Sequence, residues 1–324
     1  MNRKYFGHLS FFAFLFVLLT FFVACNGNKT TEKTDSQANT DKKIKIVATT
    51  SMLEDAVKNV VQDKADIQSL MGAGVDPHLY KATQSDLGKL SKADIIFYHG
   101  LYLEGKMEDI LLKMAKNKTI VATSDGIDKT KLLNLVEPDP ENPTHNYDPH
   151  VWFDVTIWMQ TVEQVTLTMM EKDAENASFY RKNAAAYLTK LETLHAECKN
   201  QMNNIPEKSR LMITSHDAFE YFGKAYNIEV KGLQGISTVA EYGLKDITNM
   251  VNLIIERKVK AIFVESSMSS KSLEAVMAGC KKKGHEVKIA GTLFADAMGK
   301  KGTPQGTYIG MVEHNVKTVV EALK

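Results

Sequence analysis

An excess of charge of either sign is missing from this chain. Forty Lys and Arg residues face 39 Asp and Glu, for a formal net charge of +1. A balance this close to neutral offers no electrostatic footprint for nucleic acid, and no run of like charges marks an acidic or basic tail. Cysteine is scarce, at three residues in 324. No Cys-x-x-Cys pair occurs, which excludes the compact structural zinc motifs. Beyond Cys25 only Cys198 and Cys280 remain, and one possible pair makes no disulfide framework. Both fall on apolar helical stripes, so buried free thiols are expected. Proline is also rare, at seven residues, so a repeated proline motif stands out.

What is present is an ordinary soluble composition, 44% apolar and 24% charged, over a length comfortable for two domains. The first 25 residues depart from it. Arg3 and Lys4 precede an almost wholly apolar run over 9–24, and Cys25 follows. A basic start, a short apolar core and a small residue at its end describe a secretory signal peptide, and the core is short for a membrane span. The placement of Cys25 resembles the lipobox of bacterial lipoproteins, although Phe22 stands where that pattern usually has Leu. The resemblance implies removal of residues 1–24 and lipidation of the Cys25 thiol. An uncleaved N-terminal anchor is the alternative; either puts the remainder outside the cytoplasm. Residues 25–42 hold almost nothing to bury and read as a disordered tether with a mean span of roughly 20–25 Å.

Past residue 42, short apolar runs alternate with helical patterns. Residues 44–48, 67–70, 94–98 and 120–122 read as strands. Ser51 is placed to cap a helix whose apolar positions, Leu53, Ala56, Val57, Val60 and Val61, form one face. The same grammar returns with strands at 211–214, 261–264 and 287–290. Helical stripes accompany them: Leu244, Ile247, Val251 and Ile254, then Leu273, Val276, Met277 and Cys280. The alternation predicts an α/β fold of two lobes, each a parallel sheet flanked by helices. Between them, Tyr180, Ala184, Tyr187, Leu191, Leu194 and Cys198 recur at spacings of four and three, with no Gly or Pro over 177–203. That pattern is one continuous amphipathic helix about 40 Å long, a rigid connector. The expected division is residues 43–175 for the N-terminal lobe, 176–204 for the connecting helix and 205–324 for the C-terminal lobe.

The chain has nine histidines, and their contexts decide which matter. Two share a tripeptide, Asp76-Pro77-His78 and Asp148-Pro149-His150. Proline fixes φ and removes a donor, so the histidine is presented from a stiff loop, and the aspartate can orient an imidazole or a backbone N–H. Asp-Pro also makes plain surface turns, which is the other reading of each copy. His216, in Ser215-His216-Asp217, follows a strand, where open parallel sheets bind ligands. There Ser215 or Asp217 could equally be a helix cap with His216 incidental. Asp296, in Phe294-Ala295-Asp296-Ala297, has the same alternative as an N-cap. These residues lie far apart, and spacing alone leaves a metal site open.

Motif order adds to this. The sequence resembles the metal-binding solute receptors of ABC transporters, the TroA-like (cluster A-I) family of zinc and manganese receptors, from about residue 44 to the C-terminus. The motifs carrying the resemblance begin with Thr49-Thr50-Ser51-Met52, Gly74-Val75-Asp76-Pro77-His78 and His99-Gly100-Leu101-Tyr102-Leu103-Glu104, where the family often has Asn for His99. They continue with Asp148-Pro149-His150-Val151-Trp152-Phe153-Asp154 and Ser215-His216-Asp217-Ala218-Phe219-Glu220. Leu233-Gln234-Gly235-Ile236-Ser237-Thr238, Phe263-Val264-Glu265-Ser266-Ser267 and Phe294-Ala295-Asp296-Ala297-Met298 complete the series. The resemblance implies two α/β lobes joined by one long helix. It implies that His78, His150, His216 and Asp296 bind the metal between the lobes, with Asp76, Asp148 and Glu265 behind them as orienting groups. His99 matches no family ligand, and His145 is a candidate for assisting capture.

The implied function is capture of Zn(II) or Mn(II) outside the cytoplasm, by a protein lipid-anchored to a bacterial membrane, and delivery to an ABC permease and its ATPase. Three imidazoles and one carboxylate suit four-coordinate zinc, and divalent affinities favour zinc over manganese. Some relatives carry Glu at the His216 position, a set linked to manganese, whereas the long His-rich loop of many zinc-specific relatives is absent. Zinc is therefore expected first and manganese close behind. The sequence gives no sign of oligomerisation, and a monomer is expected. Two other classes are the alternatives. A zinc hydrolase keeps an open coordination position and a nearby base, for which Glu265 or Glu220 would be the candidates. A surface adhesin would use metal only to hold its fold.

Overall fold

The computed structural model describes residues 43–135 and 143–324. The expected signal peptide, Cys25 and the tether lie outside these residues. Four strands of the first lobe, β1 (Ile44–Ala48), β2 (Ala65–Ser69), β3 (Ile95–Tyr98) and β4 (Thr119–Ala122), form a parallel sheet in the order β2-β1-β3-β4. Helices α1 (Ser51–Val61), α2 (Gln84–Lys92) and α3 (Gly105–Ala115) connect them. After α4 (Val155–Lys172) and α5 (Ala177–Met202), the second lobe pairs β5 (Leu211–His216) with β6 (Glu229–Gln234), and β7 (Ala261–Glu265) with β8 (Lys288–Leu293), again in parallel. Its helices are α6 (Glu220–Tyr226), α7 (Leu244–Glu256), α8 (Lys271–Lys282) and α9 (Tyr308–Leu323). β5 and β7 lie side by side, but no ladder among the described residues joins the two pairs. The second sheet is thus interrupted where the first is continuous. Among the described residues no helix is long and apolar enough to cross a membrane.

Strand alternation organises the core. Ile46, Ala48, Ile95 and Phe97 point to one side of the first sheet, while Val47 and Ile96 point to the other. Met212, Ala261 and Phe263 of the second lobe join the first group, whereas Leu211, Ile213 and Ile262 fill a separate core with α7 and α8. Each sheet therefore has an outer core of its own and an inner face on one core common to both lobes. Helix α5 runs through that common core. Its 26 residues span about 39 Å. Tyr180, Ala184, Tyr187, Leu191, Leu194, Cys198 and Met202 are its buried stripe. It packs on α1 and α4 and also on α9 and α6, so it is bonded along its length to both lobes. Cys198 and Cys280 are buried free thiols.

Some sequence expectations shift. Thr50, rather than Ser51, caps α1, its hydroxyl accepting from the Leu53 N–H at 3.3 Å. Strand β5 extends two residues beyond its expected end, so His216 closes the strand. Strand β6 was not anticipated, because its sequence mixes Lys231 and Gly232 into a run with little apolar alternation. Leu244 opens α7 at 84% exposure and takes no part in the stripe expected of it. The packing face of α7 starts at Ile247, half-buried against the outer core, and is fully buried from Met250.

Two measurements check this packing. Leu191, fully buried in the common core, should cost about 2–5 kcal/mol of unfolding free energy on truncation to Ala; a neutral result would mean the two lobes are not cemented along α5. The second concerns Glu104, buried at the carboxyl ends of β1 and β3, whose Oε1 accepts from the Thr49 hydroxyl at 2.6 Å and the His99 N–H at 2.9 Å. Burial, opposed by those hydrogen bonds, raises its carboxyl from 4.5 to about 7. A raised folded value stabilises below the unfolded value, and that contribution is lost as pH climbs through about 7. Unfolding free energy of the metal-free chain should fall by about 1–3 kcal/mol more in wild type than in Glu104→Gln between pH 5 and 8. Parallel curves from denaturant titrations would refute the assignment.

Candidate metal centre

The expected ligands come from loops and from the ends of regular elements. His78 lies in the irregular segment between β2 and α2, and His150 heads the 3-10 turn Val151–Phe153 that leads into α4. Asp76 Oδ1 accepts from the His78 N–H at 2.8 Å, and Asp148 Oδ1 from the His150 N–H at 2.9 Å. Both Asp-Pro-His tripeptides therefore close the same turn, in which the aspartate bonds the backbone two residues on while proline stiffens the link. His216 ends β5, and β6 crosses so close beside it that a Cβ on Gly232 would stand 2.3 Å from the His216 carbonyl carbon. Asp296 follows β8. The Asn315 amide on α9 fixes that loop, accepting from the Phe294 N–H at 3.0 Å and donating to the Phe294 carbonyl at 2.7 Å.

These four segments bring His78, His150, His216 and Asp296 together, with one ligand atom of each within 4.8 Å of every other. His78 Nε2 and His150 Nε2 are 3.2 Å apart, His150 Nε2 and Asp296 Oδ1 3.5 Å, and His216 Nε2 and Asp296 Oδ2 3.4 Å. A four-coordinate ion with bonds of 2.0–2.2 Å would set its ligands roughly 3.3–3.6 Å apart, so the spacing fits. Exposure is 3% at His78, 2% at Asp296 and zero at His150 and His216. His216 Nε2 and both Asp296 oxygens make no hydrogen bond, although buried polar atoms ordinarily do.

Two of the ring nitrogens facing away are engaged by carboxylates. Asp148 Oδ1 lies 2.7 Å from His150 Nδ1, and Glu265 Oε2 lies 2.5 Å from His216 Nδ1. A carboxylate on Nδ1–H leaves the Nε2 lone pair aimed at the centre. Glu265 Oε1 also accepts from the Ser215 and His216 N–H groups at 2.8 and 2.9 Å, tying the ends of β5 and β7 together where no ladder does. Burial holds the His78 imidazole down at about 3, with Asp296 opposing and the two neighbouring imidazoles adding to the shift. Burial also works against charge on His216, but Glu265 and Asp296 outweigh it and hold that ring well above its ordinary range. Asp296 sits below the usual carboxylate range, since the three imidazoles, His216 first, outweigh its burial.

The other histidines have different places. His99 is buried against Trp152 and Trp158, with its Nε2 2.8 Å from the Thr50 hydroxyl. His145 stacks on Tyr102 and meets Glu108 at 3.2 Å, outside the group of four. His195 contacts Tyr226, His285 the Val259 carbonyl and His314 the Thr292 carbonyl. Sequence reasoning missed the braces between lobes. The Trp152 indole donates to the Ala295 carbonyl at 3.1 Å, and the Tyr308 hydroxyl donates to the Trp152 carbonyl at 2.7 Å. The partners are more than a hundred residues apart, and no local pattern marks them.

Residues 46–322 match the family described as zinc-uptake complex component A, periplasmic (ZnuA). The chain is 46% identical over 292 residues to the manganese-binding lipoprotein MntA of Bacillus subtilis, covering 90% of this chain and 94% of that protein. It is 40% identical over 306 residues to the zinc-binding protein TroA of Treponema pallidum, covering 94% and 95%. The solved structure of the periplasmic zinc-binding protein TroA from that organism superposes with a TM-score of 0.83 at 42% identity, over 87% of this chain and 99% of that one. In sequence over nearly its whole described length, and in fold, the chain belongs to the ZnuA family of solute-binding receptors.

Proposed function

We propose that the chain is the extracytoplasmic receptor of a metal-ion ABC importer, binding one Zn(II) or Mn(II) through His78, His150, His216 and Asp296 and passing it to the permease and its ATPase. The observation that carries this reading is the convergence of four buried donor atoms, three pairs of them 3.2 to 3.5 Å apart, from four separate segments. His78 and His150 belong to the first lobe, residues 43–175, and His216 and Asp296 to the second, residues 205–324, so the bound ion ties the lobes across the helix at 176–204. Asp148 and Glu265 set the tautomers of His150 and His216, and Asp76 sets the backbone of His78. Cleavage before Cys25 and lipidation of its thiol would hold a monomer at the membrane by residues 25–42. Four protein ligands close the shell, which speaks against the open position of a hydrolase. The continuous core keeps the fold without an ion, as a receptor that empties and refills requires and a purely structural metal would not.

Calorimetric titration of the metal-stripped chain from Asn26 onward tests this. One tight equivalent of Zn(II), and a weaker one of Mn(II), should appear and be lost on His78→Ala or Asp296→Ala; no saturable binding of either ion would end the proposal. Affinity should also depend on pH. In the empty site His78 is neutral, but His216 holds a proton between Glu265 and Asp296 that an ion on Nε2 must displace. Binding should therefore release a proton near neutral pH and tighten by about tenfold per pH unit. Titrations in buffers of different ionisation enthalpy read this directly, and zero proton release would contradict it.

A further inference from the structure

Among the described residues, an approach to the ligands opens at His78. His78 lines a cavity of about 360 Å³ together with Tyr102, Gly105 and Lys106 of the first lobe and Ser237, Val239 and Ala240 of the second. None of the other three ligands reaches it. The first-lobe side of this mouth is stiff. Gly100, Leu101 and Tyr102 take successive φ values of 83°, 53° and 63°, a conformation costly for Leu and Tyr, and the Tyr102 ring lies 2.8 Å from where a Cβ on Gly105 would be. The second-lobe side is different in kind. Residues 235–243, between β6 and α7, form no regular structure, and Thr238 is the one buried residue among them, at 8% exposure.

Thr238 is buried because it is bonded. Its hydroxyl donates to Asp76 Oδ2 at 2.6 Å, across the two lobes. Asp76 Oδ1 meanwhile accepts from the His78 N–H. On its other side, the Thr238 carbonyl accepts from the Gln234 amide at 2.7 Å, and the Ala240 carbonyl accepts from the same group. Gln234 is the last residue of β6, which lies beside His216 in the ladder. A chain of hydrogen bonds thus runs from the His216 strand through Gln234, the 235–243 strap and Asp76 to the loop that presents His78.

We infer that Thr238 is a positioning residue: its hydroxyl latches the strap to Asp76, holding His78 in place and the mouth shut, so that unlatching sets how fast the ion leaves. The inference rests on the metal-receptor reading above. His78 is the ligand suited to yield first, because of the four it is the one that lines this cavity, whereas His150 heads a 3-10 turn, His216 ends a strand and Asn315 holds the Asp296 loop by its backbone. The latch contributes a hydrogen bond to a carboxylate, whose loss falls on retention of the ion more than on the fold, since the strap contributes nothing to the common core.

The experiment uses the zinc-loaded protein from Asn26 onward, which retains the whole compact unit Lys42–Lys324. Zinc release is followed by stopped-flow transfer to a chromogenic chelator. Thr238→Val should release zinc about ten- to a hundredfold faster while still binding one equivalent, and Thr238→Ser should restore the wild-type rate. The metal-free Val variant should stay cooperatively folded, its unfolding midpoint lowered by no more than a few degrees. Unchanged release in the Val variant, or failure of Ser to rescue, overturns the latch. Amide exchange on the wild type gives an independent arm that needs no variant: zinc should slow exchange at 235–243 and at 76–79 together, and protection of the histidine loop alone would also overturn it. Absence of zinc binding by wild type is a different outcome and removes the receptor reading itself.

Discussion

Placing three imidazoles and a carboxylate beyond the reach of water is the constraint on which the rest of this structure depends. Each such group is costly to bury unless a neighbour compensates. Asp148 and Glu265 do this for His150 and His216, and the three rings do it for Asp296. Toward the centre, His216 Nε2 and both Asp296 oxygens make no hydrogen bond, while His78 Nε2 and His150 Nε2 face each other at 3.2 Å. The donor atoms of this buried set converge on one point, as the proposed ion site requires. Such a site holds only if the backbones carrying it do not drift, because a shift of even an ångström would open the tetrahedral spacing.

The common core supplies that fixity. In many two-lobed receptors the lobes are joined by flexible strands and close by hinge motion. Here the inner faces of both sheets, α1, α4, α5 and α9 share one apolar core, and α5 is packed along both lobes. Trp152 and Tyr308 add hydrogen bonds across the same boundary, one of them beside Asp296. Wide hinge opening would tear dry apolar surface, at roughly 25 cal/mol for every Å² exposed. Motion is cheaper at the rim, in segments that contribute nothing to that core. The architecture thus separates two tasks: the core keeps the ligand-bearing ends in register, and irregular chain at the mouth is left to move.

Local chemistry was the legible part of the sequence. The two Asp-Pro-His tripeptides announced their turns because the aspartate, the proline and the histidine all act within three residues. The spacing from Tyr180 to Cys198 announced α5 because one helical face was buried along its whole length. Strand β1 was read to the residue, since Ile44, Ile46, Val47 and Ala48 form an apolar run broken only by the exposed Lys45. Strand β6 escaped because Lys231 and Gly232 serve the neighbouring strand more than the core: Gly232 is there to let β6 pass His216. Leu244 misled because helical periodicity says which face is apolar but not where the packing surface starts. Glu265 was reached only through motif order, and Thr238 had no marked role at all. Both act through partners many residues away, and pairing across the fold leaves no periodic trace in the chain.

The relatives are named for different metals at similar identity, manganese at 46% and zinc at 40%, so identity alone does not sort the cargo. The site itself narrows the physics. Divalent affinities place zinc above manganese wherever the donors are shared, so an imidazole-rich set tilts toward zinc. Manganese gains mainly from added oxygen. The only oxygen-bearing member of the set is Asp296, and neither of its oxygens is spent on a hydrogen bond. A carboxylate bound through one oxygen completes a tetrahedron, and one bound through both adds a fifth donor without any new residue. Rotation of Asp296 is in turn governed by the loop that Asn315 and the Trp152 indole hold by its backbone. The bracing of that loop therefore bears on how many oxygens Asp296 can offer, beside the imidazoles that set the tilt toward zinc.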